Sequence, residues 1–235
     1  MSNNQKGIKA IKRSALNTNF VQVIEAFEKN PDSKKASEMS AYMRNRFEFL
    51  GIPTPVRKSL SKHFIRAAKK DNVVNWDFIN YCWARPEREF QYLAVDYLSA
   101  VAELLKRRDF PRLKRLAVTK PWWDTIDSLD RIIGDMSLRF PDICEILLEW
   151  STDDNIWLRR IAIDHQLQRN EHTNTDLLSA IIINNLGQNE FFINKAIGWA
   201  LRDYSKSNPD WVKSFIDEHK NELSPLSIRE GSKYL

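Results

Sequence analysis

The sequence predicts an all-α fold, a single-domain α-solenoid of antiparallel helix pairs. Apolar residues recur at spacings of three and four along the 235-residue chain, whereas the alternation typical of strands is hard to find. A short pattern also repeats at a fixed spacing. Prolines precede amphipathic runs, where first-turn proline suits a helix; these are Pro55, Pro86, Pro121, Pro141 and Pro209.

The individual elements follow from local patterns. We predict early helices over residues 20–27 and 39–49, a tight connection at 51–55, and a further helix over 56–70. Asp153, Asp154 and Asn155 form an N-cap cluster in front of Ile156. Long linkers and low-complexity segments are absent from the sequence. We therefore expect one domain over residues 18–235, preceded by an extension, 1–17, whose role the sequence does not define.

The repeat consists of a small residue, an aliphatic residue, and Asp or Gly. Its triplets begin at Ala94, Ser128, Ala162 and Ala196, a spacing of 34 residues each time. A period in the mid-thirties with two helices per unit is typical of HEAT and TPR solenoids. The small residue allows neighbouring helices to approach closely, and the aliphatic residue is expected to enter the shared core.

Composition and charge exclude several classes of protein. With 43% hydrophobic and 29% charged residues, and no apolar run long enough for a membrane span, the chain is typical of a globular protein. We see no secretory signal, disulfide framework, metal-ligand spacing or glycine-rich nucleotide loop, and expect a cytoplasmic protein without metal or cofactor. Residues 1–60 carry 11 basic and 5 acidic side chains, whereas 141–235 carry 10 and 15. The basic part indicates either a polyanionic partner or a lysine-rich solvated surface.

The repeat register singles out Asp127. The position before each triplet holds Leu93, Ile161 and Lys195 in the other units. A carboxylate at this half-buried position costs free energy, so we expect it to have charged or hydrogen-bonding partners or a function. The alternative is a structural carboxylate bonded to a backbone amide or to Arg131. Trp123 lies one helical turn before Asp127 and shares its face.

Tryptophans and arginines fall in matching registers. Adjacent Trp122 and Trp123 differ by about 100° around a helix, so one is predicted to be core and the other presented. Trp199 stands at a surface or groove register, with Arg202 on its face and Arg160 beginning the equivalent face one unit earlier. Such a set suits a cationic or electron-poor group on a polyanion, because indole rings attract cations and guanidinium groups hold phosphates.

Six segments then resemble one family, the AlkD-like bacterial DNA alkylation repair glycosylases. They are YMRNRF at residues 42–47, GIPTPVR at 51–57, PEREF at 86–90, PWWDTID at 121–127, DNIWLRR at 154–160 and FFINKAIGWALR at 191–202. The matches run in order from about residue 38 to the C-terminus. The resemblance implies a curved HEAT-like solenoid whose concave face binds duplex DNA.

The resemblance also implies a reaction and a site. It implies a monomeric, monofunctional glycosylase that hydrolyses the N-glycosidic bond of N3- and N7-alkylated purines in duplex DNA, in base excision repair. Asp127 is expected to be the catalytic carboxylate, with Trp123 and Trp199 flanking the deoxyribose. The expected DNA contacts are Arg160, Arg202, Tyr42, Arg44, Arg46, Arg57, Lys120 and Lys195.

Two alternatives remain at this point. Relatives on the same scaffold can lack glycosylase activity, so the chain is expected either to cleave the N-glycosidic bond or only to bind DNA structures without catalysis. A HEAT-type protein–protein scaffold is the third reading. Asp127 distinguishes the glycosylase from the non-catalytic DNA binder. The basic residues distinguish both of these from the protein–protein scaffold.

Overall fold

The computed structural model describes residues 18–235, and these contain α-helices, 3-10 turns and a single isolated bridge, without a β-sheet. The helices are α1 (Thr18–Glu28), α2 (Ser33–Tyr42), α3 (Thr54–Ala68), α4 (Trp76–Ala84), α5 (Arg88–Ala100), α6 (Phe110–Val118), α7 (Trp123–Arg139), α8 (Ile143–Trp150), α9 (Ile156–Asp164), α10 (Thr175–Ile183), α11 (Phe191–Tyr204), α12 (Pro209–His219) and α13 (Pro225–Gly231). The predicted all-α class is confirmed. No described helix is both long and apolar enough to cross a bilayer.

The chain divides into two compact units on either side of Leu105. In the first, α1 packs on α3, and α3 and α4 both pack on α5. In the second, α7, α9, α11 and α13 pack each against the next, and α6, α8, α10 and α12 pair with them. This successive stacking is the solenoid arrangement that the 34-residue period predicts. The expectation of one domain over 18–235 stays a prediction, and the predicted extension, 1–17, lies outside the described residues.

The repeat triplets occupy the positions that their pattern suggests. They lie within α5, α7, α9 and α11, and Ala94, Ala162 and Ala196 are fully buried where these helices meet their neighbours. The four aliphatic residues that follow are also buried: Val95, Leu129, Ile163 and Ile197. The N-cap prediction is confirmed as well, because Asn155 accepts a hydrogen bond from the Trp157 amide at 2.9 Å.

One predicted helix is wrong. The segment 39–49 is helical only as far as Tyr42, because α2 begins earlier, at Ser33, with Asp32 as its N-cap. Arg44 and Asn45 then take left-handed backbone conformations with φ of 55°, which end the helix. The following residues extend, so that the Glu48 carbonyl accepts a hydrogen bond from the Arg88 amide at 2.8 Å and the Phe47 ring lies under the Arg88 guanidinium.

The packing of α7 on α9 generates a testable prediction. A Cβ atom at Gly134 of α7 would collide with the carbonyl oxygen of His165, which ends α9 and cannot yield as a flexible side chain would. We expect Gly134→Ala to lower the free energy of unfolding by about 1–3 kcal/mol, because the overpacked backbone outweighs the helix propensity gained.

Gly187→Ala is the matched control. Gly187 has φ of 68° but open space around it, so its substitution tests backbone strain without collision. Urea unfolding of both variants measures the difference, and a Gly134→Ala protein as stable as the wild type would contradict the close packing of α7 on α9.

Candidate active site

The two adjacent tryptophans diverge at the start of α7. Trp122 is the N-cap residue with extended backbone, and its ring is 4% exposed, packed against Trp157 and Phe192 at centroid distances of 5.5 and 5.2 Å. Trp123 begins the helix and is half-buried. The prediction that one is core and the other presented is confirmed.

Asp127 lies one turn after Trp123 on α7 and is held by an arginine from the next long helix. Its Oδ1 accepts a hydrogen bond from Nε of Arg160 at 2.8 Å, and Nη2 of the same guanidinium forms an ion pair with that oxygen at 2.8 Å. The side chain of Asp127 remains 23% exposed. The structural alternative of a bond to a backbone amide or to Arg131 is therefore replaced by a fixed ion pair that still leaves the carboxylate accessible.

Arg160 points inward, which corrects the expectation that it contacts DNA. Its side chain is only 1% exposed. Besides Asp127, it donates from Nη1 to the Phe192 carbonyl at 2.7 Å and lies 3.6 Å from the Asp164 carboxylate. Two short bonds and two carboxylates occupy the guanidinium, so the structure gives it a positioning role in place of a phosphate contact.

Trp199 on α11 is surrounded by three cations. The Arg160, Lys195 and Arg202 head groups lie 5.1, 5.7 and 6.0 Å from its ring centroid. The indole Nε1 is buried and has no hydrogen-bond partner among the described residues. Trp199 therefore offers a half-buried aromatic surface and a spare N–H donor beside Asp127.

Glu230 from α13 holds two of these cations in place. Its carboxylate accepts from Lys195 at 2.7 Å and from Arg202 at 2.8 Å. The hydrogen bond from Lys195 lowers the pKa of Glu230 below its ordinary value. Sequence analysis missed Glu230, although it stands one 34-residue period after Ala196. Lys195 and Arg202 are 26% and 28% exposed and can still reach an anion.

A cavity of about 270 Å³ lies in front of Asp127 and Trp199. It is also lined by Asp130, Arg131, Leu167, Gln168, Arg202, Asp203 and Lys206. Trp123 does not line it, so the structure brings Asp127 and Trp199 together at this cavity and places Trp123 one turn away along α7.

Two further carboxyl groups sit behind Asp127. Asp130 and Asp164 are each 1% exposed. One carboxylate oxygen from each of Asp127, Asp130 and Asp164 lies within 4.8 Å of the corresponding oxygens of the other two residues. Three such oxygens could surround a cation, but the Arg160 guanidinium already supplies a positive charge there. Asp130 and Asp164 are each the third residue of a repeat triplet. This shared register was the signal in the sequence that could have identified them as site residues.

Burial dominates the ionisation of this cluster. It raises the pKa of Asp127 above its ordinary value, although Arg160 pulls in the opposite direction. It raises the pKa of Asp130 well above the usual range and that of Asp164 to about 7. Burial also opposes the charge on Arg160, yet the carboxylates of Asp164 and Asp127 raise its pKa.

The DNA contacts expected in the first unit divide into exposed and buried residues. Tyr42 is 72% exposed, and Arg44 and Arg46 are exposed on the turn that follows α2. Arg57 is buried, with its guanidinium paired to Asp96, so the structure does not present it to a phosphate. In the second unit, Lys120 is half-buried in the turn before α7, where its φ is 53°.

Sequence analysis also missed a row of four exposed cations along one face of α3. They are Lys58, Lys62, Arg66 and Lys69. They line a cavity of about 520 Å³ between α3 and α5, and none has an ion-pair partner within residues 18–235. Their spacing of four, four and three residues was the available signal, since it places all four on one helix face. The row is called the α3 basic row below.

The buried position of Arg160 predicts a large effect on stability. We expect Arg160→Ala to cost about 3–5 kcal/mol of unfolding free energy, because three buried or half-buried carboxyl groups lose their cation. Arg202→Ala is the control: Arg202 is 28% exposed and its loss should cost less than about 1 kcal/mol. Urea unfolding measures both, and equal effects would contradict the inward role of Arg160.

Comparisons with known proteins place this chain in a family. Residues 23–235 match the family described as DNA alkylation repair enzyme. A solved structure described as a predicted DNA alkylation repair enzyme from Enterococcus faecalis is 36% identical, with a TM-score of 0.80, over 88% of this chain and 97% of that chain. No curated protein gives a significant match. Since the match covers nearly the whole length, the chain belongs to the DNA alkylation repair enzyme family.

Proposed function

We propose that the protein is a monofunctional DNA glycosylase that removes N3- and N7-alkylated purines from duplex DNA. Alkylation at these atoms makes the purine a cation, so the C1′–N bond breaks with its electron pair leaving on the base, which becomes neutral. Water then adds its oxygen to C1′ and loses a proton. The products are the free alkylpurine and an abasic site.

The observation that carries this proposal is the accessible Asp127 carboxylate, held at 2.8 Å by a buried arginine beside Trp199. As the bond breaks, positive charge moves to the sugar. A fixed carboxylate at about 4 Å stabilises that charge by roughly 4 kcal/mol at an effective dielectric near 20. Because Arg160 holds the carboxylate before the reaction, little reorganisation is needed in the transition state.

Asp127 also suits the proton transfer. Burial raises the pKa of its carboxyl group above the ordinary value, and a carboxylate with a raised pKa is a stronger base toward a proton of water. The water proton therefore passes to Asp127 as the new C1′–O bond forms.

The lysines near the cavity favour a monofunctional reaction. Lys195 is paired with Glu230 at 2.7 Å, and Lys206 with Asp203 at 3.0 Å. An ammonium ion held by a carboxylate lacks the lone pair that attack on C1′ would require. Hydrolysis by water, assisted by Asp127, accounts for the reaction without a covalent enzyme–DNA intermediate.

Exposed cations support the proposed duplex partner. The α3 basic row places successive charges about 6 Å apart along the helix axis where they are four residues apart. Flexible lysine and arginine side chains at this spacing suit contacts to phosphates, which are independent of sequence. Arg44 and Arg46 add exposed charge on the turn after α2.

Substitution of Asp127 tests the reaction. Asp127→Asn keeps the size of the side chain and removes its charge, so we expect excision of 7-methylguanine to slow by about a hundredfold or more. DNA affinity should be unchanged or slightly higher, since a negative charge near phosphates is lost. Single-turnover release of 7-methylguanine from methylated duplex, with binding measured on the same duplex, separates the two effects.

Asp135→Asn is the control, because Asp135 is an exposed carboxylate on the same helix. It should excise at the wild-type rate. If Asp127→Asn also does so, the catalytic role of Asp127 is wrong. If the wild type binds the duplex but releases no alkylpurine, the alternative of a non-catalytic DNA-structure-binding protein is favoured.

A second prediction concerns the α3 basic row. The double variant Lys62→Gln/Arg66→Gln should reduce the slope of log Kd against log salt concentration by about 2, since each phosphate contact contributes about 0.9. Lys213→Gln/Lys220→Gln removes the same charge from exposed positions on and after α12 and should leave the slope nearly unchanged. Equal slopes for the two variants would show that the α3 basic row does not contact DNA.

A further inference from the structure

Asp127 and the two carboxyl groups behind it could carry more negative charge than the single cation among them, Arg160, can neutralise. Asp130 comes from α7 and Asp164 from the end of α9. Together with Asp127 they place three carboxyl groups within 4.8 Å of one another around one guanidinium, that of Arg160. If all three were ionised, the group would carry a net charge of −2 in a largely buried place.

We propose that Asp130 and Asp164 share a proton beneath Asp127 and act as a positioning pair whose protonation sets the charge at the reacting sugar. This deepens the proposed function and rests on it for its effect on catalysis. The sharing itself is a property of the free protein and can be tested without a substrate.

Hydrogen bonding supports the shared proton. One oxygen of Asp130 and both oxygens of Asp164 are buried without a hydrogen-bond partner among the described residues. An ionised carboxylate in that condition is strongly unfavourable, whereas a carboxylic acid that donates its own proton to a neighbouring carboxylate gives one oxygen of each group a hydrogen-bond partner.

The repeat supplies an internal comparison. Asp96 occupies the same triplet position in α5, and Arg57 of α3 reaches it as a dedicated cation. One 34-residue period after Arg57 the chain has Gln91, which donates instead to backbone carbonyls, among them that of Cys82 at 2.9 Å. Asp130 therefore lacks the arginine that neutralises its counterpart, and a proton takes that place.

The neighbouring charges do not remove the need for this proton. Arg160 is engaged by Asp127, and His165 next to Asp164 stays uncharged because burial lowers its pKa to about 3. Asp127 adds a further negative charge to the cluster. The cavity in front contributes charged groups from α7, from α11 and from the turn after it, namely Arg131, Arg202, Asp203 and Lys206.

Burial places the loss of the first of the pair's two protons near neutral pH. It raises the pKa of Asp164 to about 7 and that of Asp130 well above its ordinary value. Below neutral pH, Asp130 and Asp164 are both protonated and Asp127 alone faces Arg160 as an anion. Above it, Asp164 ionises and shares the proton that remains on Asp130, so a second negative charge appears within 4.8 Å of Asp127 and stabilises the cationic sugar of the transition state. Excision should accelerate by a few fold as the pH rises through neutrality.

Carboxyl ¹³C NMR of the folded wild type tests the sharing directly. We expect one Asp130/Asp164 resonance to titrate near pH 7, with assignments from Asp164→Asn and Asp130→Asn. Titration of both groups completed below pH 5, or no titration of either up to pH 9, would overturn the proposal. Neither result depends on whether the protein excises bases.

Thermal unfolding gives a second measurement with a defined sign. The raised pKa of Asp164 means that the folded state binds more protons than the unfolded state between about pH 4 and 7, so this group's stabilisation is lost as the pH rises through that range. The Tm of Asp164→Asn minus the Tm of the wild type should therefore increase by several degrees between pH 5 and pH 8. Asp135→Asn should show no such gain.

The pH profile of excision completes the test. Single-turnover release of 7-methylguanine should rise between pH 6 and 8 in the wild type and in Asp135→Asn, and should be flat in Asp164→Asn. A wild-type rise that persists in Asp164→Asn would contradict the role of the pair in catalysis. A neutral titration in a wild type that releases no base would instead count against the glycosylase proposal and leave the shared proton standing.

Discussion

The structure around the site depends on one buried cation. The Arg160 guanidinium is taken from water, and α9 carries it into contact with Asp127 on α7 and the Phe192 carbonyl on α11. Removing a guanidinium from water is unfavourable unless its donors and charge are matched. Three successive long helices must therefore keep the register that matches it, and this register also fixes where Asp127 meets the cavity.

This arrangement separates positioning from binding. Arg160 and Arg57 are buried and hold carboxylates of neighbouring helices, whereas the α3 basic row and the turn after α2 expose their cations. A buried arginine orients its partner with little motion, and an exposed one can follow a flexible polyanion. Lys195 and Arg202 have both properties. Glu230 holds them in ion pairs, while about a quarter of each side chain stays exposed.

The site is built from the repeat and from its exceptions. The aliphatic residue of the triplet is buried in all four units, and the small residue is buried in three of them, Ser128 being half-buried. The third position differs in its surroundings: Asp96 has its own arginine, Asp130 and Asp164 crowd around Arg160, and a Cβ atom at Gly198 would press into the Glu230 side chain. A regular scaffold thus acquires one place where the pairing of charges is incomplete.

The sequence by itself determined the helical class, the 34-residue stacking and the division of Trp122 and Trp123 into one core and one presented ring, and it singled out Asp127. These inferences depend on spacing along one helix or on comparison between registers. The sequence placed Arg160 near Asp127 but predicted that Arg160 contacts DNA, and it predicted a helix that continues through residues 43–49. Both the partner of Arg160 and the end of that helix are decided by tertiary structure. Whether an arginine faces a phosphate or a carboxylate depends on partners from other helices: Asp127 comes from α7 and the Phe192 carbonyl from α11. The left-handed turn at Arg44 and Asn45 likewise lets Phe47 and Glu48 reach Arg88, a contact that no local pattern contains.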